Sequence, residues 1–277
     1  RIGLDGGRPV KINGGGRLSG RVGRTAFGVM DIDTDVPDPS ASGSTNFAVA
    51  RIRQDVLRRS TVGLLYTGRS AGQPGTTTSQ SFGMDGTFSF FNFLTLNSYW
   101  AKTERADRAS DDQSYRGQLV YAGDRYGAQF EHLSVGRDFA PEVGFVRRTD
   151  IRRSYAQLRF SPRPTFTRRV RKFSYTGSFT YVQNGTGRVE NRQSDAEFAI
   201  EFQNADRFAV SAAETYEYVP RPFRVAPTVS IPVGGYTSNN VAVGYNLGPQ
   251  RTVTGNLLLE HGRFYDGTRT EIGRAHV

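Results

Sequence analysis

The side chains best suited to acid–base chemistry gather around a long polar segment, residues 136–149. A histidine and carboxylates within hydrogen-bond reach could transfer protons during hydrolysis. His132, however, directly follows Glu131, and neighbouring residues of a strand point to opposite faces, so these two cannot act as a pair. The plainer role for the group is hydrogen bonding in the segment and pairing with Arg147 or Arg148. Its members are His132, Asp138, Glu142 and Asp150.

The sequence gives little support for a metal site, a nucleophilic serine or a dinucleotide-binding site. The chain has no cysteine and three histidines, and neither His132 nor His261 has a partner at metal-ligand spacing. No Gly-x-Ser-x-Gly elbow presents a nucleophilic serine. The glycine run at 14–16 departs from a dinucleotide fingerprint, because Ser19 stands at the third glycine position and alternation follows instead of a helix. We therefore predict no catalytic residue, metal or cofactor in this chain.

The basic charge is spread along the chain. The net charge is +10, and 33 of the 36 basic residues are arginine. They are scattered through strands and turns instead of forming one patch, which argues against a nucleic-acid partner. Scattered arginines suit solvation, the lining of a lumen, or pairing with lipid phosphates, which the planar guanidinium binds bidentately. A composition bias of the genome explains them equally well.

Strict alternation of apolar and polar residues is the dominant pattern. Phenylalanine and tyrosine occupy every second position from Phe173 to Tyr181, except at Gly177, with serine or threonine between them; residues 82–90 repeat the arrangement. Such a strand has one apolar and one polar face. Soluble strands average about 5–6 residues, whereas a strand tilted across a bilayer needs about 9–11. These runs have the longer length.

Tight turns alternate with longer polar segments along the chain. Turn residues cluster near positions 24, 59, 92, 124, 205 and 249, and longer polar stretches lie at 36–45, 70–79, 104–112, 136–149 and 218–235. Short periplasmic turns and long extracellular loops are typical of outer-membrane barrels. The alternation predicts about 14 strands. They lie near 11–22, 26–34, 46–57, 61–69, 80–90, 93–103, 113–122, 125–135, 150–161, 170–183, 188–203, 207–218, 236–247 and 251–265.

The predicted fold class is an all-β, antiparallel transmembrane β-barrel. The mean hydropathy of −0.51 is compatible with it, since barrel strands need only one apolar face. A soluble sandwich or propeller is the competitor, but charged residues through the middle of long strands favour a hydrated lumen. The residues that we expect to line it are Arg51, Arg53, Asp85, Arg116, Glu131, Arg159, Glu197 and Glu201.

Four strings resemble a known family. They are the runs 14–23 (GGGRLSGRVG), 51–60 (RIRQDVLRRS), 141–148 (PEVGFVRR) and 160–164 (FSPRP). Together they are similar to the bacterial family called domain of unknown function 5916, over nearly the whole chain, with Ser19 where a threonine is expected. The resemblance implies an outer-membrane β-barrel that follows an N-terminal carbohydrate-binding module of the family 9 type. It implies no catalytic residues.

The two ends of the chain look cut. It begins at Arg1 and has no leader, and residues 271–277 (EIGRAHV) resemble the translation of a sequencing adapter. We therefore predict one barrel segment at 1–270, truncated at both ends, and leave 271–277 out of the fold.

The predicted function is a barrel in the outer membrane of a Gram-negative bacterium that anchors a carbohydrate-binding protein and could pass its substrate. Its expected partners are outer-membrane lipid, lipopolysaccharide and, through the absent module, carbohydrate. Two alternatives stay open: a barrel-borne glycan hydrolase, and a soluble secreted glycan-binding β protein.

Overall fold

The protein is built from antiparallel β-strands. A computed structural model describes residues 2–5, 8–35, 43–71, 78–105, 110–226, 229–265 and 267–275. No helix within these ranges is long and apolar enough to cross a membrane. The polar stretches predicted at 36–45 and 70–79 lie largely outside the described residues, as do residues 106–109 of the stretch 104–112 and His276.

Nineteen strands are present in the described ranges. In chain order they are β1 Leu4–Asp5, β2 Arg8–Pro9, β3 Ile12–Val22, β4 Thr25–Asp35, β5 Ser44–Leu57, β6 Ser60–Ala71, β7 Ser79–Phe90, β8 Leu94–Arg105, β9 Gln113–Ala122, β10 Tyr126–Val135, β11 Ile151–Phe160, β12 Val170–Gln183, β13 Val189–Phe202, β14 Arg207–Val219, β15 Phe223–Ala226, β16 Val229–Ile231, β17 Gly234–Asn246, β18 Asn256–Phe264 and β19 Gly267–Ala275.

Fifteen of these strands form one large antiparallel sheet. Its order follows the chain from β3 to β14 and continues with β17, β18 and β19. The short strands pair separately, β1 with β2 and β15 with β16. Within the described residues the sheet is open, because β3 pairs only with β4, and β19 only with β18. The all-β antiparallel architecture is confirmed, but a closed barrel is not seen.

The predicted strands agree with the sheet to within a few residues, with two exceptions. β18 begins at Asn256 instead of 251, because the preceding residues form a connection in which the Leu247 amide donates to the carbonyl of Gly255 at 2.9 Å. Residues 271–275 were left out of the predicted fold, yet they complete β19 along β18. The whole of β19 was absent from the predicted strands, and its Ile272 lies opposite Leu259 and continues the same apolar face.

Contacts divide the chain into two units. Unit 1 contains residues 1–118 and 132–152, and unit 2 contains residues 119–131 and 153–277. In unit 1, one apolar row crosses five strands: Phe27, Ile52, Leu64, Met84 and Trp100 lie opposite one another in turn. The next row on the other face includes Arg53, Gly63, Asp85 and Tyr99. The unit therefore has one apolar and one polar face.

Unit 2 has the same two-faced construction. Its apolar face carries a row of Tyr175, Phe198, Val210, Val243 and Leu259 across β12, β13, β14, β17 and β18. The neighbouring row on the other face consists of Thr176, Glu197, Ser211, Ala242 and Glu260. Charged and small polar side chains thus share the face opposite the aromatic and aliphatic ones.

The apolar face is the more exposed of the two. From Gly234 to Tyr245 in β17 exposure alternates strictly, with Val241 and Val243 exposed and Ala242 between them half-buried. Among the described residues six apolar residues are buried, whereas 37 large apolar ones are exposed. The sheet therefore leaves most of its apolar surface uncovered.

Arginine side chains tie each of several short connections to the next one. Asp55 and Asn92 accept hydrogen bonds in unit 1, and Asp124 and Asp206 do so in unit 2. The ties are Arg21 to Asp55 at 2.5 Å, Arg59 to Asn92 at 2.8 Å, Arg163 to Asp124 at 2.8 Å and Arg251 to Asp206 at 2.6 Å. All of these residues lie at the end of the strands where the connections are shortest.

Asp206 has the most complete set of partners. Its carboxylate accepts hydrogen bonds from the Arg251 guanidinium at 2.6 and 2.9 Å, the Gly248 amide at 2.8 Å, the Tyr245 hydroxyl at 2.8 Å and the Asn204 amide at 3.0 Å. The side chain is 1% exposed. A buried carboxylate with five donors fixes the β13–β14 turn against the β17–β18 connection.

We expect Asp206→Asn to lower the midpoint of urea unfolding clearly more than Asp124→Asn does. An asparagine at 206 cannot accept all five hydrogen bonds and would leave the Arg251 charge without its partner. Asp124 is the matched control, because it also accepts from an arginine but its side chain is 69% exposed. Equal midpoints for the two variants would contradict this account.

The loss of folding stability caused by Asp206→Asn should depend on pH. The hydrogen bond from Arg251, then those from Gly248 and Tyr245, hold the pKa of Asp206 well below its usual value. A lowered pKa stabilises the fold at any pH above the pKa of the unfolded chain, about 3.9, and this stabilisation is lost as the pH falls through the folded pKa. The stability difference between the original protein and Asp206→Asn should therefore stay constant from pH 7 to about 5 and narrow below about pH 4.

Candidate functional site

The polar face of unit 1 brings several predicted lumen residues together. Arg51 forms an ion pair with Asp85 across the strand between them. That strand contributes Gly63, where a β-carbon would lie 2.6 Å from a guanidinium nitrogen of Arg51. Arg53 lies on the same face and is exposed. Because Gly63 has no side chain, the Arg51 side chain can cross this intervening strand and reach Asp85.

Arg116 belongs to this face as well. The Tyr99 hydroxyl, on the strand position opposite Asp85, lies 3.0 Å from the Ser114 hydroxyl. Arg116 follows Ser114 by two residues in β9 and so points to the same side.

The polar face of unit 2 carries the other four predicted residues, three of them in ion pairs. Their partners are basic residues of the same or adjacent strands. Glu131 pairs with Arg153 at 3.3 Å, Glu197 with Arg207 at 2.5 Å and Glu201 with Lys172 at 3.2 Å. Partly exposed pairs of this kind stabilise a fold only weakly. Their clearer effect is to keep charged groups on one face of the sheet.

Arg159 has a role that the sequence did not indicate. Its guanidinium donates to the carbonyls of Gly123 at 2.5 Å and Asp124 at 3.1 Å and to the Ser161 hydroxyl at 2.6 Å. It reaches the β9–β10 turn over Gly127, where a β-carbon would lie 2.9 Å from its Nε. Arg159 lies on the polar face, but its charge is used to hold a turn.

The 136–150 segment, which connects β10 to β11, is docked on the polar face of unit 1. Its amides at Gly136 and Asp138 donate to the carbonyls of Gln113 at 2.8 Å and Asp111 at 3.0 Å. The Ala140 amide donates to the Thr103 hydroxyl at 3.2 Å. Thr103 belongs to the polar face, and Phe139 is buried. The segment therefore covers the ends of several strands instead of projecting from them.

Glu142 links this segment to the strands by ion pairs. Its carboxylate bridges Arg105 at 2.5 Å and Arg69 at 3.3 Å. Ser79 lies between these two arginines in register and is 2% exposed. Within the described part of the chain, the Ser79 hydroxyl is the one buried side-chain polar atom without a hydrogen-bond partner. We call Arg69, Ser79, Arg105 and Glu142 the Glu142 site.

The structure does not assemble the predicted acid–base group. His132 lies on the apolar face, 6.0 Å from the Tyr115 ring, whereas Glu142 lies on the polar face. Asp138 accepts a hydrogen bond from Ser110 at 3.3 Å, and Asp150 adopts a left-handed backbone conformation. These positions give no shared proton-transfer geometry. Among the described residues no group of three or more acidic or histidine side chains could hold a metal ion.

Aromatic side chains form a continuous row on the apolar face of unit 2. Tyr126, Phe160, Tyr175 and Phe198 follow one another at centroid separations of 5.3, 6.2 and 5.0 Å. The four rings line an open, mostly apolar depression of about 950 Å³ together with residues that include Leu158 and Val241. The row lies toward the short-turn end of the strands.

A second group of aromatic residues lies at the opposite end of the same face. Arg192 stacks over Tyr216 at 6.0 Å, and Arg188 over Tyr218 at 4.9 Å. Both tyrosines lie near the ends of their strands. Tyr99, in contrast, lies on the polar face of unit 1 with Asp85.

A search of protein-family models found no match to this chain, and searches of curated proteins and of solved structures found none either.

We expect Gly136→Ala to loosen the 136–150 segment. A β-carbon at this position would lie 2.1 Å from the backbone carbonyl oxygen of Asp111, so the segment must shift, at a cost of about 1–3 kcal/mol. Hydrogen–deuterium exchange should become faster at the amides of Asp138 and Ala140. Gly117→Ala is the control, because a β-carbon there meets no atom within 4 Å. Unchanged exchange in Gly136→Ala would show that the docking does not depend on this close approach.

Proposed function

We propose that this sheet is part of the wall of a β-barrel in the bacterial outer membrane, with lipid against its apolar face and water against its polar face. The observation that carries the proposal is the exposure of the apolar face in both units. A face that bears Leu64, Met84, Val243 and Leu259, 58%, 53%, 40% and 47% exposed, needs an apolar cover. Lipid is the cover that leaves the opposite, charged face hydrated.

The spacing of the aromatic groups supports a membrane boundary at each end. From Phe208 to Tyr216 on the apolar face of β14 the chain advances eight residues, about 26 Å along the strand at about 3.3 Å per residue. A tilt of about 40° reduces this to about 20 Å, close to the apolar band of about 25 Å in outer-membrane barrels. Tyrosine and arginine at such a boundary contact headgroups.

The long-loop ends of the strands in unit 1 are polar on both faces. On the otherwise apolar side Asn46 donates to Asp31 at 2.9 Å, and Lys102 pairs with Glu104 at 3.2 Å. These groups would be costly in hydrocarbon but suit the headgroup region and the water beyond it. We therefore place them outside the bilayer, on the extracellular side, where long barrel loops lie.

An open sheet edge is not tolerated in hydrocarbon, because every unpaired backbone group would lack a hydrogen bond. The proposal therefore requires further pairing at the outer edges of β3 and β19, which closes the barrel. The polar face then surrounds water, and its charged residues set the polarity of the passage.

The biological role that we propose is anchoring of a carbohydrate-binding protein and passage of its substrate. The barrel part of this role is supported by the two-faced sheet. The carbohydrate part is supported only by the resemblance of the sequence strings to domain of unknown function 5916. Lipid and lipopolysaccharide are the proposed partners of the apolar face, and the arginines near its boundaries provide the contacts to phosphate.

Cysteine substitution at two neighbouring residues of β17 tests the proposal, since the chain has no native cysteine. Val243 lies on the apolar face and Ala242 on the polar face, and both are close to cysteine in size. In lipid vesicles we expect a charged maleimide to label Ala242→Cys at least about tenfold faster than Val243→Cys, because the hydrocarbon holds few charged molecules. After denaturation in urea the same charged reagent should label both variants, because both thiols are then in water, where the reactive thiolate forms.

Two outcomes would contradict the membrane proposal. One is fast labelling of both cysteines by the charged reagent in vesicles. The other is a protein that stays monomeric without detergent and shows no heat-dependent change of migration on gels, as expected for the soluble glycan-binding alternative.

A further inference from the structure

The Glu142 site has the composition of a carboxylate receptor. Two guanidinium groups, from Arg69 in β6 and Arg105 in β8, converge on the two oxygens of one carboxylate. Arginine is the side chain best suited to hold a carboxylate through directed, charge-assisted hydrogen bonds. Because Arg69, Ser79 and Arg105 stand opposite one another on three adjacent strands, the sheet itself fixes their spacing.

The hydroxyl of Ser79 is an independent sign of a ligand position. It is buried between the two arginines, and it has no hydrogen-bond partner among the residues that the structure describes. Buried hydroxyl groups are normally hydrogen-bonded, and an unpaired one is costly. The carboxylate of Glu142 satisfies the arginines but leaves this hydroxyl unused. A ligand with an additional polar group beside its carboxylate would use all three.

We propose that Arg69, Ser79 and Arg105 form a binding site for a small hydroxylated carboxylate, such as a sugar acid, and that Glu142 is a built-in competitor for it. When the solute binds, Glu142 is displaced and the 136–150 segment loses its ion pairs with Arg69 and Arg105. When the solute leaves, the segment docks again. Solute binding and release of the segment are thus coupled, and each favours the other.

The chemical class of the ligand follows from the carboxylate of Glu142, which fills the site in this structure. Glu142 shows that the spacing of the two arginines accepts a planar carboxylate, and the unused hydroxyl calls for a neighbouring polar group. A role of the site in controlling passage along the polar face rests on the proposed function. Binding of the solute does not rest on it, since the site lies entirely in unit 1 and needs no bilayer.

The affinity should be limited by the internal competitor. A group tethered by a short flexible segment acts at an effective concentration in the millimolar range. Glucuronate should therefore bind the original protein at least about tenfold more weakly than it binds Glu142→Gln, in which the competing charge is removed.

A spin label on the segment reports its release. Phe145 is 84% exposed, and Phe145→Cys provides the single labelling position in a chain without cysteine. In detergent micelles we expect the spectrum to show slow nitroxide motion in the otherwise unchanged protein. In Glu142→Gln it should show faster motion. Glucuronate should shift the unchanged protein toward the faster spectrum, and glucose, which lacks the carboxylate, should not.

Two further variants separate the site from general effects of charge. Glu104→Gln removes a nearby carboxylate that pairs with Lys102 and should leave the spectrum and the glucuronate response unchanged. Arg69→Gln should abolish the response to glucuronate. Isothermal titration calorimetry on the same samples measures the affinities.

Two results of these experiments would contradict the proposal. A slow spectrum in Glu142→Gln would show that this residue does not hold the segment, and the proposal would be wrong. A fast spectrum without measurable glucuronate binding would make the ion pairs purely structural, and the proposed ligand site would be wrong. Both results are independent of the vesicle labelling at positions 242 and 243, so the membrane proposal stands or fails separately.

Discussion

Everything in this fold depends on the need to separate two incompatible faces of the same strands. Each strand places apolar side chains on one side and charged or small polar ones on the other, and pairing in register extends this division over neighbouring strands. Within each unit the apolar side chains share one face of the strands, and most of the large ones are exposed. The proposed lipid contact, the ion pairs on the polar face and the docking of the 136–150 segment all follow from that division.

Arginine is the residue that organises the polar parts of the structure. Its length lets one guanidinium cross a neighbouring strand, as Arg51 does over Gly63, or join two turns, as Arg251 does at Asp206. Its several donors let Arg159 satisfy two carbonyls and a hydroxyl at once. Much of the strong basic charge thus has a local structural use, and the composition needs no nucleic-acid partner to explain it.

The sequence predicts the strands well because alternation with period two is a local property. It places β12 at its observed limits and puts Arg53 and Asp85 on one face. The alternation does not predict contacts between distant segments, since no local pattern indicates that Glu142 forms ion pairs with Arg69 and Arg105. It also separates Glu131 from His132 correctly, yet it cannot show that His132 faces the apolar side beside Tyr115. The candidate site therefore emerged only from the fold.

The chain-order pairing of the large sheet has a consequence for how the protein assembles. From β3 to β14 every strand pairs with the strands next to it in sequence, and the detour at β15 and β16 precedes the same pattern from β17 onward. Each new strand therefore closes only a short loop, which keeps the entropic barrier to its addition small. The four arginine contacts between connections then hold several hairpins to their neighbours. Growth by successive hairpins, from either end, is the folding route that this topology favours.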